Sequence, residues 1–354
     1  IQISFLMIPY IIMLIIILFC VFKEDRAKSL KDKKHYLLGC LTPVFCLIAF
    51  KSNMVGTDTF GYMRSYETLA HFGTFDSLDE FGYENVEIGY KYFILFLSKI
   101  FPNAQFLLIA VGLAVCISMY SFIRRTATNW SFALFLFVAL GYFQFVMTGI
   151  RQTLAMSILL FGYKYINERK IIKFLVSIVF ASLFHKSALI FIPIYFIANM
   201  EITRKKIGFM FVGIFALLFV ADKLLLSVAD VMDYKYGIEE TGNGYIFFAI
   251  VLFITILSLS RRQLMATRDT NSSMLSVNFV SLALWGVRLI SRTVERVSLY
   301  FMPYTYIALE EYIATSPKNV KKQYMILAII LSSILFIKRI SEQEDLCNFT
   351  FFFE

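Results

Sequence analysis

Histidine, cysteine and charge are all scarce in this chain of 354 residues. It holds three His and five Cys, and no two Cys stand in a Cys-x-x-Cys spacing. Cys20, Cys40, Cys46 and Cys116 lie within apolar segments and Cys347 lies in the tail. That distribution points to neither a disulfide framework nor a metal site, and no cofactor is expected. Charged residues make up 17% of the chain against 59% hydrophobic and 17% aromatic. A soluble domain does not carry so much apolar surface. The alternating apolar and polar pattern of a membrane β-barrel is also missing. The apolar runs are continuous, so the spanning form is the helix, which satisfies its own backbone in lipid. The first run has no basic leader and no small-residue cleavage site, which argues against a secretory signal peptide. Neither is there a pair of matching broken segments of the kind found in inverted-repeat transporters.

What is present is a series of apolar runs: 3–22, 35–50, 103–123, 130–147, 150–166, 171–184, 187–200, 207–221, 245–260, 274–290, 297–313 and 323–337. The expected fold is all-α, a single polytopic transmembrane bundle over 1–354 with about twelve membrane segments. Two outer loops are expected at 51–102 and 222–244. Within the first, the apolar stretch 88–101 contains Lys91 and Lys99 and is read as re-entrant or interfacial.

The net charge of +9 is read as basic loops at the cytoplasmic surface, without a nucleic-acid partner. Loops 23–34, 124–125, 164–173, 201–206, 261–269 and 318–322 carry 21 of the 34 Lys and Arg residues. This bias places them in the cytoplasm and both termini outside.

The remaining ionisable residues collect at the outer ends of apolar runs, where charge is costly and therefore points to function. In "MTGIRQTLAMS", Arg151 follows a Gly and opens a helix, an anion-binding arrangement; snorkelling at the headgroups is the ordinary alternative. In "SLFHKSALIFIPIYF", His185 and Lys186 sit at a tight turn, and His titrates near neutrality. In "WGVRLISRTVERVSLYFMP", Arg288, Arg292 and Arg296 recur every four residues. On one helix they form a stripe, with Glu295 three residues from Arg292 and Tyr300 extending the row. Lys51, Asp58, Arg64 and Glu87 complete the outer set. Permanent cations suit a phosphorylated ligand, and the aromatic outer loops suit sugars.

These residues carry a resemblance. "VGTDTFGYMRSYE" (55–67), "VEIGYKYF" (86–93), "GIRQTLAMSI" (149–158), "SLFHKSALIFIPIY" (182–195) and "ERVSLYFMP" (295–303) resemble, in order, the EpsG-like branch of the bacterial Wzy-type polysaccharide polymerases. Where relatives commonly carry an Arg before Gly-Thr-Asp, this chain has Lys51. The resemblance implies a GT-C-like bundle in the bacterial cytoplasmic membrane with its site facing outward. A growing glycan on undecaprenyl pyrophosphate would be transferred to a lipid-linked repeat unit, for an O-antigen, capsule or exopolysaccharide. Membrane lipids and a chain-length regulator are the other implied partners.

Such a reaction needs cations at the leaving pyrophosphate and a base for the acceptor hydroxyl. Arg151, Arg292 and Arg296, with Arg288 and Lys186, are expected to share the first task. Asp58 and His185 are candidates for the second, with Glu295 and Glu87 behind them. Lys51, Arg64, Gln152 and Tyr300 complete the expected substrate-binding set. The acidic run Asp76, Asp79, Glu80 and Glu84 is read as a solvated loop and the reaction as metal-independent. A flippase for the same lipid-linked oligosaccharide is the alternative, disfavoured because the charges crowd at one face. An outer-facing acyltransferase would want a His with an acidic partner, and His185 has none nearby in sequence. A structural membrane subunit would leave the arginines unexplained.

Overall fold

The computed structural model describes residues 5–27, 29–75, 86–200, 203–232, 244–265, 271–292 and 294–353. The acidic run at 76–84 lies outside them. Among the described residues every regular element is helical, and the one strand-like contact is an isolated bridge between Lys51 and Phe351. The chain divides into two compact units, one of residues 1–192 with 323–354 and the other of residues 193–322.

The first unit contains α1 (Ile8–Glu24), α2 (Leu30–Ala49), α3 (Thr59–Phe72), α4 (Ile88–Ile100), α5 (Gln105–Thr126), α6 (Trp130–Ala139), α7 (Tyr142–Val146), α8 (Ile150–Gly162), α9 (Lys164–Asn167) and α10 (Ile171–Ser182). A 3₁₀ segment, Lys186–Phe191, follows α10. The core is α6. Its sequence "WSFALFLFVA" is apolar on every face, and all ten residues are buried, as a helix without a polar stripe must be. Glu24 closes its start: the carboxylate accepts from Trp130 N–H and Ser131 N–H, each at 2.7 Å. Two of the first turn's orphan donors are thereby satisfied. Helix α6 packs on α1 and α2, α5 on α2 and α8, and α8 on α10.

In the second unit, α11 (Ile194–Ala198), α12 (Arg204–Met232), α13 (Tyr245–Ser260), α14 (Arg262–Met265), α15 (Asn271–Arg288), α16 (Val294–Ser298) and α17 (Met302–Ala314) follow. Helix α15 is central and packs on α13 and α17. A buried polar chain ties the three: Asn278 donates to Thr255 Oγ1 at 2.8 Å, and Thr305 Oγ1 donates to Asn278 Oδ1 at 2.6 Å. The long helix α18 (Lys318–Glu342) returns the chain to the first unit. There Phe336 meets Tyr10 edge-on at 6.3 Å, and α19 (Glu344–Cys347) leads into the tail.

Two helices, α5 with 22 residues and α18 with 25, are long and apolar enough to cross a membrane. With the apolar composition they mark a helical membrane protein. Among the described residues these two meet that length, against about twelve expected segments, and several of the expected runs break into shorter helices. Run 130–147 breaks at Gly141, whose φ is +100°; run 150–166 yields the two helices α8 and α9. Run 187–200 becomes a 3₁₀ segment and a five-residue helix. Of the expected outer loop 222–244, residues up to Met232 are helical as the end of α12, and 233–243 lie outside the described residues. The stretch 88–101 forms the 13-residue α4, with Tyr90, Lys91, Ile94 and Ser98 buried along one face.

Candidate functional site

Lys51 emerges from α2 fully buried, at 1% exposure. Its ammonium donates to Val55 O at 2.8 Å, to Thr59 Oγ1 at 2.7 Å and to Met147 O. Burial draws its pKa down to about 7, opposed by Asp345 and Asp58. All three donors of the ammonium are therefore engaged. The expectation that Lys51 binds a ligand is corrected: it fastens the 51–59 loop to the turn preceding α8. Gly56 lies in the same contact. Its φ is +93°, and a Cβ there would collide with Met147 O, so only glycine fits.

The far side of this loop is held by the tail. Asp345 accepts from Thr57 N–H and Thr57 Oγ1, both at 2.8 Å. Ser52 N–H donates to Thr350 O at 2.9 Å, and Phe352 N–H donates to Phe50 O at 3.0 Å. Asp345 was not among the residues singled out from sequence; 288 positions separate it from Thr57, and no local pattern joins them.

Around this frame the first unit brings together four of the five quoted motifs. Arg151 stands in the first turn of α8 and is partly exposed. Its Nη1 donates to Glu87 Oε2 at 2.5 Å. Glu87, which precedes α4, is 8% exposed and uses its other oxygen too. Oε1 accepts from Lys186 N–H at 3.1 Å and lies 3.8 Å from His185 Nδ1. Arg151 Nε lies 3.5 Å from Tyr62 Oη on α3. Close approach explains the Glu87–His185 pairing. Gly89 sits against Leu183, and a Cβ there would lie 2.7 Å from the Leu183 carbonyl oxygen, while Tyr90 N–H donates to that same oxygen at 3.2 Å. The missing side chain lets the start of α4 rest on the His185 turn.

His185 caps the 3₁₀ segment: its Nδ1 accepts from Ser187 N–H at 3.4 Å, and Ser187 Oγ lies at 3.0 Å. An accepting Nδ1 leaves the proton of the neutral ring on Nε2. The sequence argument that His185 has no acidic neighbour is corrected in part: Glu87, 98 positions upstream, stands 3.8 Å from Nδ1, a contact that becomes an ion pair only when the ring is protonated. The cluster can orient a guanidinium and an imidazole toward an anion, with Glu87 holding the first and Ser187 the second.

The other expected residues fall elsewhere. Asp58 is half-buried at the start of α3 and makes no side-chain cap bond. Arg64 and Lys186 are exposed. Gln152 is buried in α8, its amide 3.7 Å from Met156 Sδ. In the second unit the single Arg stripe is not formed. Helix α15 ends at Arg288 and α16 starts only at Val294. Arg288, 3% exposed, folds against Gly244 and donates from Nε to Glu295 Oε2 at 2.8 Å. Glu295 thus pairs with Arg288, seven residues away, rather than with Arg292. Arg292 and Arg296 are exposed, and Tyr300 is buried. Tyr62, Gly89 and Ser187 were also missed from sequence. Among the described residues no group of three or more His, Cys, Asp or Glu stands where it would hold a metal ion.

No curated protein and no solved structure matches the chain. The family model for the EpsG family matches residues 34–352, a range that takes in all five motifs. The chain belongs to the EpsG family, a Wzy-type polymerase family, and its role is in polysaccharide polymerisation.

Proposed function

We propose that the protein is a repeat-unit polymerase. It would transfer a growing glycan from undecaprenyl pyrophosphate to a lipid-linked repeat unit at the outer face of the bacterial cytoplasmic membrane. The observation that carries this reading is the Arg151–Glu87–His185 constellation, assembled from three separate family motifs. Glycosyl transfer of this kind breaks the bond between the anomeric carbon and the pyrophosphate oxygen. Positive charge develops on the sugar and negative charge on the leaving group. A guanidinium fixed by Glu87 stabilises that negative charge more than it stabilises the ground state. His185 adds a donor through Nε2. Pyrophosphate leaves without protonation, so the paired carboxylates of a glycosidase are not required. We assign the acceptor proton to Asp58, one turn before Tyr62, whose carboxylate does not cap its own helix. Arg288, held by Glu295, together with Arg292 and Arg296, is assigned a second anionic group.

Acyl transfer to a sugar, which would need His185 Nδ1 protonated and turned to Glu87, is the second reading. Chain-length analysis separates the readings. In a strain lacking its own polymerase, wild-type protein should restore a ladder of long glycans, and Arg151→Ala should leave single repeats on lipid. Arg151→Lys should keep little of the activity, since an ammonium lacks the planar fork that reaches Glu87 through Nη1 and Tyr62 through Nε. A full ladder from Arg151→Ala would remove this residue from the mechanism. A product lacking one acyl group, with its ladder intact, would favour the transferase.

A further inference from the structure

The helix that begins with Arg151 continues as the floor of a groove. A hollow with about 700 Å³ of free volume lies along α8, between α5 and α10. Leu154, Ile158, Phe161 and Tyr165 line it, following Arg151 at helical intervals of three or four, so the guanidinium and the floor share one face. Ala114 and Ile117 of α5 form one wall, and Val176 and Phe180 of α10 form the other. The lining is almost wholly apolar. Ile117 is 57% exposed, Val176 62% and Phe180 51%, so the groove is open along its length. From Leu154 to Phe161 it runs about 10 Å along α8 at 1.5 Å per residue, and Tyr165 of α9 lies beyond. Phe93 and Phe184, whose rings meet at 5.7 Å, also line it. Phe184 directly precedes His185, and Phe93 lies on the helix that Glu87 precedes. The polar cluster therefore stands next to the end of the hollow that these two rings line.

We propose that this groove holds the polyprenyl chain of a lipid substrate whose phosphate is bound at Arg151. The assignment rests on the polymerase reading and adds to it which lipid-contacting face of the first unit carries the chain. An occupant with an anionic head and a hydrocarbon tail fits, because the surface changes from guanidinium, imidazole and carboxylate to a mainly apolar lining within one turn of α8, with Lys173 and three serines the polar residues along it. Bulk phospholipid is the competing occupant. A phospholipid acyl chain would fill the hollow without needing Arg151, whereas a prenyl phosphate gains from both ends.

The test uses full-length protein in nanodiscs of phosphatidylethanolamine and phosphatidylglycerol, with a photoactivatable undecaprenyl phosphate carrying its diazirine on the chain. Crosslinks should concentrate on peptides of α5, α8 and α10. Unlabelled undecaprenyl phosphate should compete them away, while added phosphatidylglycerol should not. Arg151→Ala should lower labelling by at least fivefold. Ala114→Trp fills the groove and should do the same, and Val176→Trp, on the exposed wall, supplies a second block that leaves the core untouched. Labelling spread over all helices, or labelling that phosphatidylglycerol competes equally well, overturns the groove assignment. Labelling unchanged in both Trp variants, with each folded by its thermal transition, overturns it too. None of these outcomes depends on glycan ladders, so a failure of the groove assignment is told apart from a failure of the polymerase reading.

Discussion

At the scale of single residues, the part played by each charge depends on what surrounds it. Lys51 and Arg151 are both cations at the edge of an apolar run, yet one is sealed among two carbonyls and a hydroxyl and the other is partly open beside a carboxylate. Lys51→Met should destabilise the protein by about 2–4 kcal/mol, because it removes three buried hydrogen bonds and leaves Thr59 Oγ1 as the remaining side-chain donor to the Val55 and Met147 carbonyls. A lowered thermal midpoint in detergent would register this, and an unchanged midpoint would show that the ammonium is dispensable. Glu87→Gln should keep the fold but lower polymerisation about 10–100-fold. It removes the negative partner of a charge-assisted bond worth roughly 1.5–3 kcal/mol. Initial rates of chain extension measure it. Tyr66 adds a pH effect. Buried, and donating to Phe101 O at 2.5 Å, its hydroxyl is pushed up to about 12. The folded state then keeps this proton while the unfolded chain loses it near pH 10, so stability falls as pH rises from about 10 to 12. Tyr66→Phe should flatten that part of the stability curve.

At the scale of elements, the site depends on where helices begin. Arg151 opens α8, Glu87 precedes α4, and His185 caps the 3₁₀ segment, so the polar atoms meet at element ends, where backbone donors are unspent. Gly89 allows two of these ends to touch. Gly89→Val should push α4 from the Leu183 turn, separate Glu87 from His185 and abolish long glycans, with a smaller effect on the thermal midpoint than Lys51→Met. Retained polymerisation in this variant would show that the pairing is incidental. The "GIRQ" motif announced the start of α8 through its Gly, and that element lay where the pattern put it. The expected Arg stripe failed for a local reason. A period of four was taken as one helix, but the helix stops at Arg288 and the chain folds back, exchanging an Arg292–Glu295 neighbourhood for an Arg288–Glu295 bond.

At the scale of the whole molecule, the tail is structural. Residues from 343 onward cross back to the 50–57 loop and hold it through Asp345, Thr350 and Phe352. Truncation after residue 342 should increase hydrogen exchange at residues 52–58 and suppress polymerisation. Unaltered exchange at that loop would show that Lys51 alone holds it.

Composition and unbroken hydrophobicity were enough to establish an all-helical membrane protein, because lipid leaves the backbone few ways to satisfy itself. The ordered motifs were enough to point to the family. Sequence patterns could not reveal that Glu87 grips Arg151 across 64 positions and meets His185 across 98, or that Asp345 reaches Thr57 across 288. Such contacts arise from helix packing, and helix periodicity constrains only near neighbours along one element. Tertiary structure alone decided which cations were already spoken for and which remained partly open beside the groove along α8.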